Sequence, residues 1–226
     1  MNFMGQDQAS FETAVEVAFR WGDDVTLNLA RCSTDRRFLP KDILHRAGHS
    51  GTHVFLVLAG RAQARAFGLT GRVVVVSEFA DGDIFGAFEP GEAFPDDADV
   101  IAVDSTRAAV VPGRAFVALA ERHGAIAQAL VRSLLRQLRS ASARMTDGVT
   151  LSAPGRVHAE LIRLARLKDG KTIEPIPVLS VLATRLNTTR ETVSRTISAL
   201  ERRGIVRREQ GCLIIVAVQR LEDLII

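Results

Sequence analysis

Cysteine is scarce here, with only Cys32 and Cys212 in 226 residues, and the two are too far apart to match any metal-ligand spacing. That scarcity excludes a disulfide framework and an N-terminal thiolate cluster for iron and sulfur, and it predicts two unpaired thiols in a reducing compartment. Long apolar runs are also missing: none approaches the roughly 18 residues that a membrane span requires. The opening segment MNFMGQDQASFETAVEVAFRWGDD lacks the basic start and apolar core of a secretory leader. The expectation is a soluble, unsecreted, cytoplasmic protein. No internal repeat stands out beyond a rhythm of short strands.

Hydrophobic residues make up 47% of the chain, enough for one large domain or two ordinary ones. Charge favours two. From Gly148 onward 13 Lys and Arg face 8 Asp and Glu, whereas the first 147 residues hold 16 against 18. The basic excess therefore sits in the C-terminal third, where phosphate attraction would need it if that third binds nucleic acid.

The most informative stretch lies in that third. In TTRETVSRTISALERRG, residues 188 to 204, Thr188 followed by Glu191 reads as a capping box, and Gly204 closes the helix. At about 100° per residue Arg190, Glu191, Ser194, Arg195, Ser198 and Arg202 share one side, while Val193, Ile197 and Leu200 share another. The preceding LSVLATRLN, 179 to 187, reads as a short helix ending at Asn187, a residue tolerant of the left-handed turn between two helices. After the helix, strand-like runs Ile205 to Arg208 and Cys212 to Val218 are joined across Glu209, Gln210 and Gly211, which predicts a hairpin wing. Together these make a winged helix-turn-helix, whose second helix would lie in a DNA major groove. Arginine can there donate two hydrogen bonds to guanine and glutamate accept one from cytosine.

Elsewhere, HVFLVLAGRAQARAF (53 to 67) and RVVVVSEFADGDIFGAF (72 to 88) are β-rich runs broken by glycine and aspartate turns, as in a small barrel or jelly roll. Residues 12 to 31 predict a helical lead-in. From about Ala125 to Asp147 the positions Ala127, Val131, Leu134, Leu138, Ala141 and Met145 recur at spacings of 4, 3, 4, 3 and 4, a heptad seam. Ile126, Leu130 and Leu135 form a second apolar flank that would pack on the chain's own sheet. GVTLSAPG, 148 to 155, reads as a hinge that breaks this helix, with Ser152 and Pro154 starting the next one, to about Leu167. The expected division is thus 1–124, 125–147 and 148–226.

LNTTRETVSRTISALERRGIVRR resembles the helix-turn-helix signature of the cyclic-AMP receptor protein and fumarate-nitrate regulator (Crp/Fnr) family, and the similarity extends over nearly the whole chain. The resemblance implies an α+β fold: a β jelly roll like a cyclic-nucleotide-binding domain, a long dimerisation helix and a C-terminal winged helix. It implies a homodimeric transcription regulator, not an enzyme, that binds near-palindromic double-stranded DNA and works with RNA polymerase. Base readers carry over to Arg190, Glu191, Ser194 and Arg195, with Thr188 and Thr189 beside them and Arg207 and Arg208 in the wing. The dimer axis carries over to Val131, Leu134, Leu138, Ala141 and Met145. The family's first helix commonly opens with threonine, where this chain has Val178.

The family's phosphate-binding cassette runs Phe-Gly-Glu, then Arg and a hydroxyl residue, then Ala. Here Phe85 and Gly86 are followed by Ala87 in place of Glu, and Asp96 and Asp97 stand where Arg and its neighbour would lie. A lost charge-assisted bond to phosphate costs about 1.5 to 3 kcal/mol, and carboxylates add repulsion. The expectation is no cyclic-AMP response, no resident cofactor and an unknown effector. Phe85, Phe88 and Phe94 either line an apolar cavity or fill the core, and filling is favoured. His45, His49 and His53 are four residues apart, but Gly48 and Gly51 make the stretch a turn, so exposed histidines are expected. Haem on one of these or on His123 stays open. The rival reading is a jelly-roll small-molecule module or cupin-like enzyme with a winged helix for protein contacts; HSGTHVFLVLAG lacks the His-x-His and Glu that a cupin metal requires.

Overall fold

The computed structural model describes residues 3–48, 51–67, 73–89 and 97–225 and divides the chain into two compact units, Met1–Ala141 and Ser142–Ile226. The first unit opens with two helices, α1 (Phe3–Phe19) and α2 (Asp23–Cys32), where the sequence predicts one lead-in. Arg20, at φ 55°, and Gly22, at ψ 165°, turn the chain between them.

Eight strands follow: β1 (Thr34–Phe38), β2 (Ile43–His45), β3 (His53–Ala59), β4 (Ala62–Phe67), β5 (Val73–Phe79), β6 (Ile84–Gly86), β7 (Asp99–Ala102) and β8 (Thr106–Pro112). They form two antiparallel sheets, ordered β1-β8-β3-β6 and β2-β7-β4-β5. Phe38, Phe55, Phe79, Phe85, Val100 and Val110 come from both sheets into one buried cluster. The other face of the first sheet, with Val54, Leu56, Leu58 and Ile84, packs on Phe11, Leu29, Phe116 and Ile126 from helices. That double burial explains why β3 is apolar without a break: successive side chains point to opposite faces, and both faces are covered. Gly60 at φ 91° makes the tight β3–β4 turn, where a Cβ would come within 2.3 Å of the Ser105 carbonyl oxygen.

After β8 come α3 (Gly113–Arg122) and the long α4 (Gly124–Thr150), which continues through Gly148 and ends at Thr150. The hinge expected from 148 thus starts three residues late, because a single glycine costs a helix only about 1 kcal/mol. Ile126, Ala129, Ser133 and Gln137 are the buried face of α4, and Leu130 packs beside them. Leu135, expected on that face, is exposed instead.

A polar clamp joins α4 to the turn before β6. The Asp83 carboxylate, 6% exposed, accepts from the Ala80 amide at 2.9 Å, from the Ser133 hydroxyl at 3.1 Å, and from Arg136 Nη2 and Nε at 2.7 and 3.0 Å. Arg136 also donates to the Gly82 carbonyl at 2.7 Å. Ser133 Oγ accepts from the Ile84 amide at 2.9 Å, and Gln137 Nε2 donates to the Ile84 carbonyl at 3.1 Å.

The second unit holds α5 (Ala153–Arg166), β9 (Thr172–Ile173), α6 (Leu179–Arg185), α7 (Arg190–Arg202), β10 (Val206–Glu209), β11 (Cys212–Ile215) and α8 (Val218–Glu222). Ser152 caps α5 by accepting from the Gly155 amide at 3.1 Å. Val157, Leu161, Val193, Ile197, Leu200, Ile205 and Leu213 form its core. Two expectations are corrected. The second wing strand stops at Ile215 rather than Val218, because it pairs Leu213 and Ile214 with only Ile173 and Thr172 of β9, and the chain then enters α8. Glu209 belongs to β10, so the turn is the two residues Gln210 and Gly211, with Gly211 at φ 79°.

Candidate nucleic-acid interface

The helix-turn-helix is built from α6, the turn 186–189 and α7. Asn187 is left-handed at φ 48°, as its residue type predicts, and lets the Thr188 amide turn back to the Ala183 carbonyl at 2.9 Å. Thr188 is therefore spent on closing α6. The cap of α7 is Thr189, whose hydroxyl accepts from the Thr192 amide at 3.2 Å, one residue later than the Thr188–Glu191 box expected from sequence. Val193, Thr196, Ile197 and Leu200 hold α7 to the core. Arg190, Glu191, Ser194 and Arg195 are all exposed on its free side, beside exposed Thr189 and half-buried Thr188.

Glu191 has a defined charge there. Its carboxyl lies below the usual glutamate range, first through hydrogen bonding to its own backbone N–H, then through the Thr189 hydroxyl, with smaller pulls from Arg190 and Arg195. Ionised, it only accepts hydrogen bonds, so it suits a cytosine amino group and rejects an acceptor edge. In the wing, Arg207 and Arg208 are exposed but paired: Arg207 Nη2 lies 2.7 Å from Glu209, and Arg208 Nε lies 3.2 Å from Glu201 of α7. Glu160 of α5 receives Arg163 at 2.6 Å and Arg185 of α6 at 2.9 Å, fixing the first helix of the pair.

On α4 the heptad positions Val131, Leu134, Leu138 and Met145 are exposed, and Ala141 is half-buried. Val131, Leu134 and Leu138 lie about a third of a turn round the helix from the buried Ile126–Ser133 face. The sequence pattern contained no hint of that clamp, since Asp83 and Arg136 are 53 residues apart.

In the first unit Phe85 stacks between Phe55 at 5.0 Å and Phe79 at 4.2 Å, and Phe88 tilts against Phe116 at 5.7 Å. Both fill space. Ala87 is 1% exposed, its amide bonded to the His53 carbonyl at 3.0 Å, and Gly86 is at φ 125°. Asp97 is exposed, while Phe94 and Asp96 lie outside the described residues. An open recess of about 810 Å³ lies between β1, β2 and the start of β3, with Arg31, Arg36, His45, Arg46, His53 and Phe55 among its walls. His45 is a correction: it is buried on β2 rather than exposed in a turn, because β2 pairs with β7 through it. His53 is exposed as expected, and His49 lies outside the described residues. Among the described residues no three His, Cys, Asp or Glu side chains gather as a metal site, and no helix is long and apolar enough to cross a membrane.

Residues 35–123 match the cyclic nucleotide-binding domain family, and residues 155–224 match the Crp-like helix-turn-helix domain, together more than two thirds of the chain. The chain is 28% identical over 204 residues to the cyclic AMP receptor protein of Thermus thermophilus, covering 88% of this chain and 91% of that one. It is 24% identical over 182 residues to a CRP-like cAMP-activated global transcriptional regulator of Mycobacterium tuberculosis, covering 77% and 80%. In fold it is similar to a CooA mutant from Carboxydothermus hydrogenoformans, with a TM-score of 0.75 at 21% identity over 94% and 95% of the two chains.

Proposed function

Because this chain belongs to the Crp/Fnr family of transcription regulators, we propose that it is a homodimer that reads a near-palindromic duplex through α7, acts through RNA polymerase and needs no cyclic AMP. The observation that carries the reading is the free face of α7, where four hydrogen-bonding side chains stand at the start of a helix whose other side is locked in the core. A groove-reading helix needs that division, since its N-terminal residues meet base edges. Two-fold pairing through the α4 seam would set two such helices about 34 Å apart, one DNA turn.

Selection from random duplexes tests this, and a shared two-fold motif is the expected result. Arg195→Ala and Glu191→Ala should each lose about 1 to 3 kcal/mol on the best site and relax preference at one base pair per half-site. Arg207→Ala or Arg208→Ala should weaken binding to all sequences alike. An Arg195→Ala protein with full discrimination would show that another surface reads the DNA.

The cassette supports independence from cyclic AMP. Two relatives carry cyclic AMP in their names, but here the position of the ribose-binding glutamate is Ala87, enclosed and without a polar side chain. Exposed Asp97 adds negative charge where a phosphate would need a positive partner. Calorimetric titration with cyclic AMP and cyclic GMP should show no heat of binding at micromolar ligand, and DNA affinity should not change with either. Micromolar binding coupled to tighter DNA binding would overturn this part of the reading.

A further inference from the structure

Arg156, in the first turn of α5, reaches out of its own helix to three backbone carbonyls. Its Nε donates to the Leu186 carbonyl at 2.9 Å, its Nη2 to the Asn187 carbonyl at 3.2 Å and its Nη1 to the Leu151 carbonyl at 3.0 Å. Leu186 and Asn187 are the turn of the helix-turn-helix, 30 and 31 residues away in sequence. Leu151 follows the end of α4 directly. Among the described residues none of these three carbonyls accepts a backbone amide.

The arrangement suits the chemistry of the turn. A helix leaves its last carbonyls without intrahelical donors, and α6 ends at Arg185, just before the two carbonyls that Arg156 takes. Asn187 at φ 48° sets the direction of the second of them, so consecutive carbonyls face one edge of a flat group. A guanidinium supplies five N–H donors in a fixed plane, and its charge also suits the negative end of α6. An ammonium gathers its three donors on one nitrogen and would fix no plane. The guanidinium is half-buried and pairs with no carboxylate within salt-bridge distance among the described residues, so backbone carbonyls are its ligands.

We propose that Arg156 is a positioning residue for DNA readout: it holds the turn between α6 and α7 in the orientation that presents Arg190, Glu191, Ser194 and Arg195 to base edges, and it ties that turn to the segment leaving α4. The proposal rests on the DNA-binding reading above. It differs from phosphate contact, because a residue that only positions the reading helix affects specific binding and leaves the non-specific electrostatic component alone.

The test uses the full-length protein and the duplex selected by the parent chain. Arg156→Lys and Arg156→Gln should each lose about tenfold or more in affinity for that duplex, as expected when charge-assisted bonds to an ordered turn are removed. Affinity for an unrelated duplex and the slope of affinity against salt should stay as in the parent. Exchange of the Thr188 amide should quicken while core amides at Leu161 and Leu200 keep their protection. Ile162→Val, which loosens the same core without touching the turn, serves as the stability control and should stay within about twofold on DNA. Full specific affinity in Arg156→Lys would overturn the proposal. So would a parallel fall on both duplexes with the salt slope reduced by about one, which would make Arg156 a phosphate contact. An Ile162→Val protein as impaired as the arginine variants would likewise overturn it, by reducing the effect to stability. A parent chain that selects no duplex would sink the DNA-binding reading itself, an outcome visible before any variant is made.

Discussion

Replacing both Leu134 and Leu138 by aspartate is expected to give a monomer and to cost two to four orders of magnitude in affinity for a two-fold DNA site. Leu134 is 47% exposed and Leu138 66% exposed on the single chain, on a side of α4 about a third of a turn from Ile126, Ala129 and Ser133. Covering a leucine side chain contributes about 1.5 to 3 kcal/mol, and two-fold symmetry makes each seam residue count twice. Four carboxylates at the same seam would instead face one another in a drying interface, a cost that dimerisation could not offset. Once the halves separate, each winged helix binds a half-site alone and loses the roughly 10²- to 10⁴-fold advantage of a linked second contact. The fold itself should survive, because neither leucine belongs to the packed face. Sedimentation equilibrium of the double variant reads the mass directly, and Val17→Asp, equally apolar and exposed on α1, is the control. A double variant that keeps its dimer mass would place the interface on another surface.

Arg136→Ala should destabilise the first unit by about 2 to 3 kcal/mol, seen as a lower melting temperature for that unit. Asp83 would stay nearly enclosed with only the Ala80 amide and the Ser133 hydroxyl as donors, and removing one partner of a buried ion pair leaves an uncompensated charge. The effect sits below the usual range for a buried pair because Arg136 is itself half exposed, and water can enter where it stood. Arg139→Ala, three residues on and exposed, should stay within about 0.5 kcal/mol of the parent. A melting curve of Arg136→Ala that overlies the parent would mean that hydration replaces the arginine fully. The clamp also holds Ile84, directly before Phe85, Gly86 and Ala87, so its loosening should spread into that segment.

What could be read from the sequence followed the range of each interaction. The free and packed sides of α7 were legible because Val193, Ile197 and Leu200 recur with the helix period within a dozen residues, and Asn187 and Gly204 announce their own left-handed turns. The cap was displaced by one because Thr188 and Thr189 carry the same hydroxyl; the closure of α6 on Ala183, a backbone event, decides between them. LIIVAV is apolar throughout and so predicts a longer strand after Cys212 than forms; only the two-residue length of β9 ends the pairing. Local turn chemistry at Gly48 and Gly51 carries no trace of β7, which pairs with His45 and helps to bury it. The Asp83 clamp had no local signature at all. The heptad seam on α4 was visible as a period, and the structure puts four of its members at the surface. Leu135 resembled its neighbours in type and differed in angle only.

Glu201 and Glu209 beside the wing arginines give the winged helix a particular economy with mobile ions. In the proposed DNA complex each arginine would arrive already carrying its own counter-charge, so a phosphate that takes Arg207 or Arg208 would displace a carboxylate as well as a condensed cation. The freed carboxylate then sits close to the polyanion. Exposed ion pairs contribute at most about 1 kcal/mol, so the exchange trims the wing's attraction for an arbitrary stretch of duplex without abolishing it. In the proposed complex, discrimination between sequences would then rest on base edges along α7 more than on the wing.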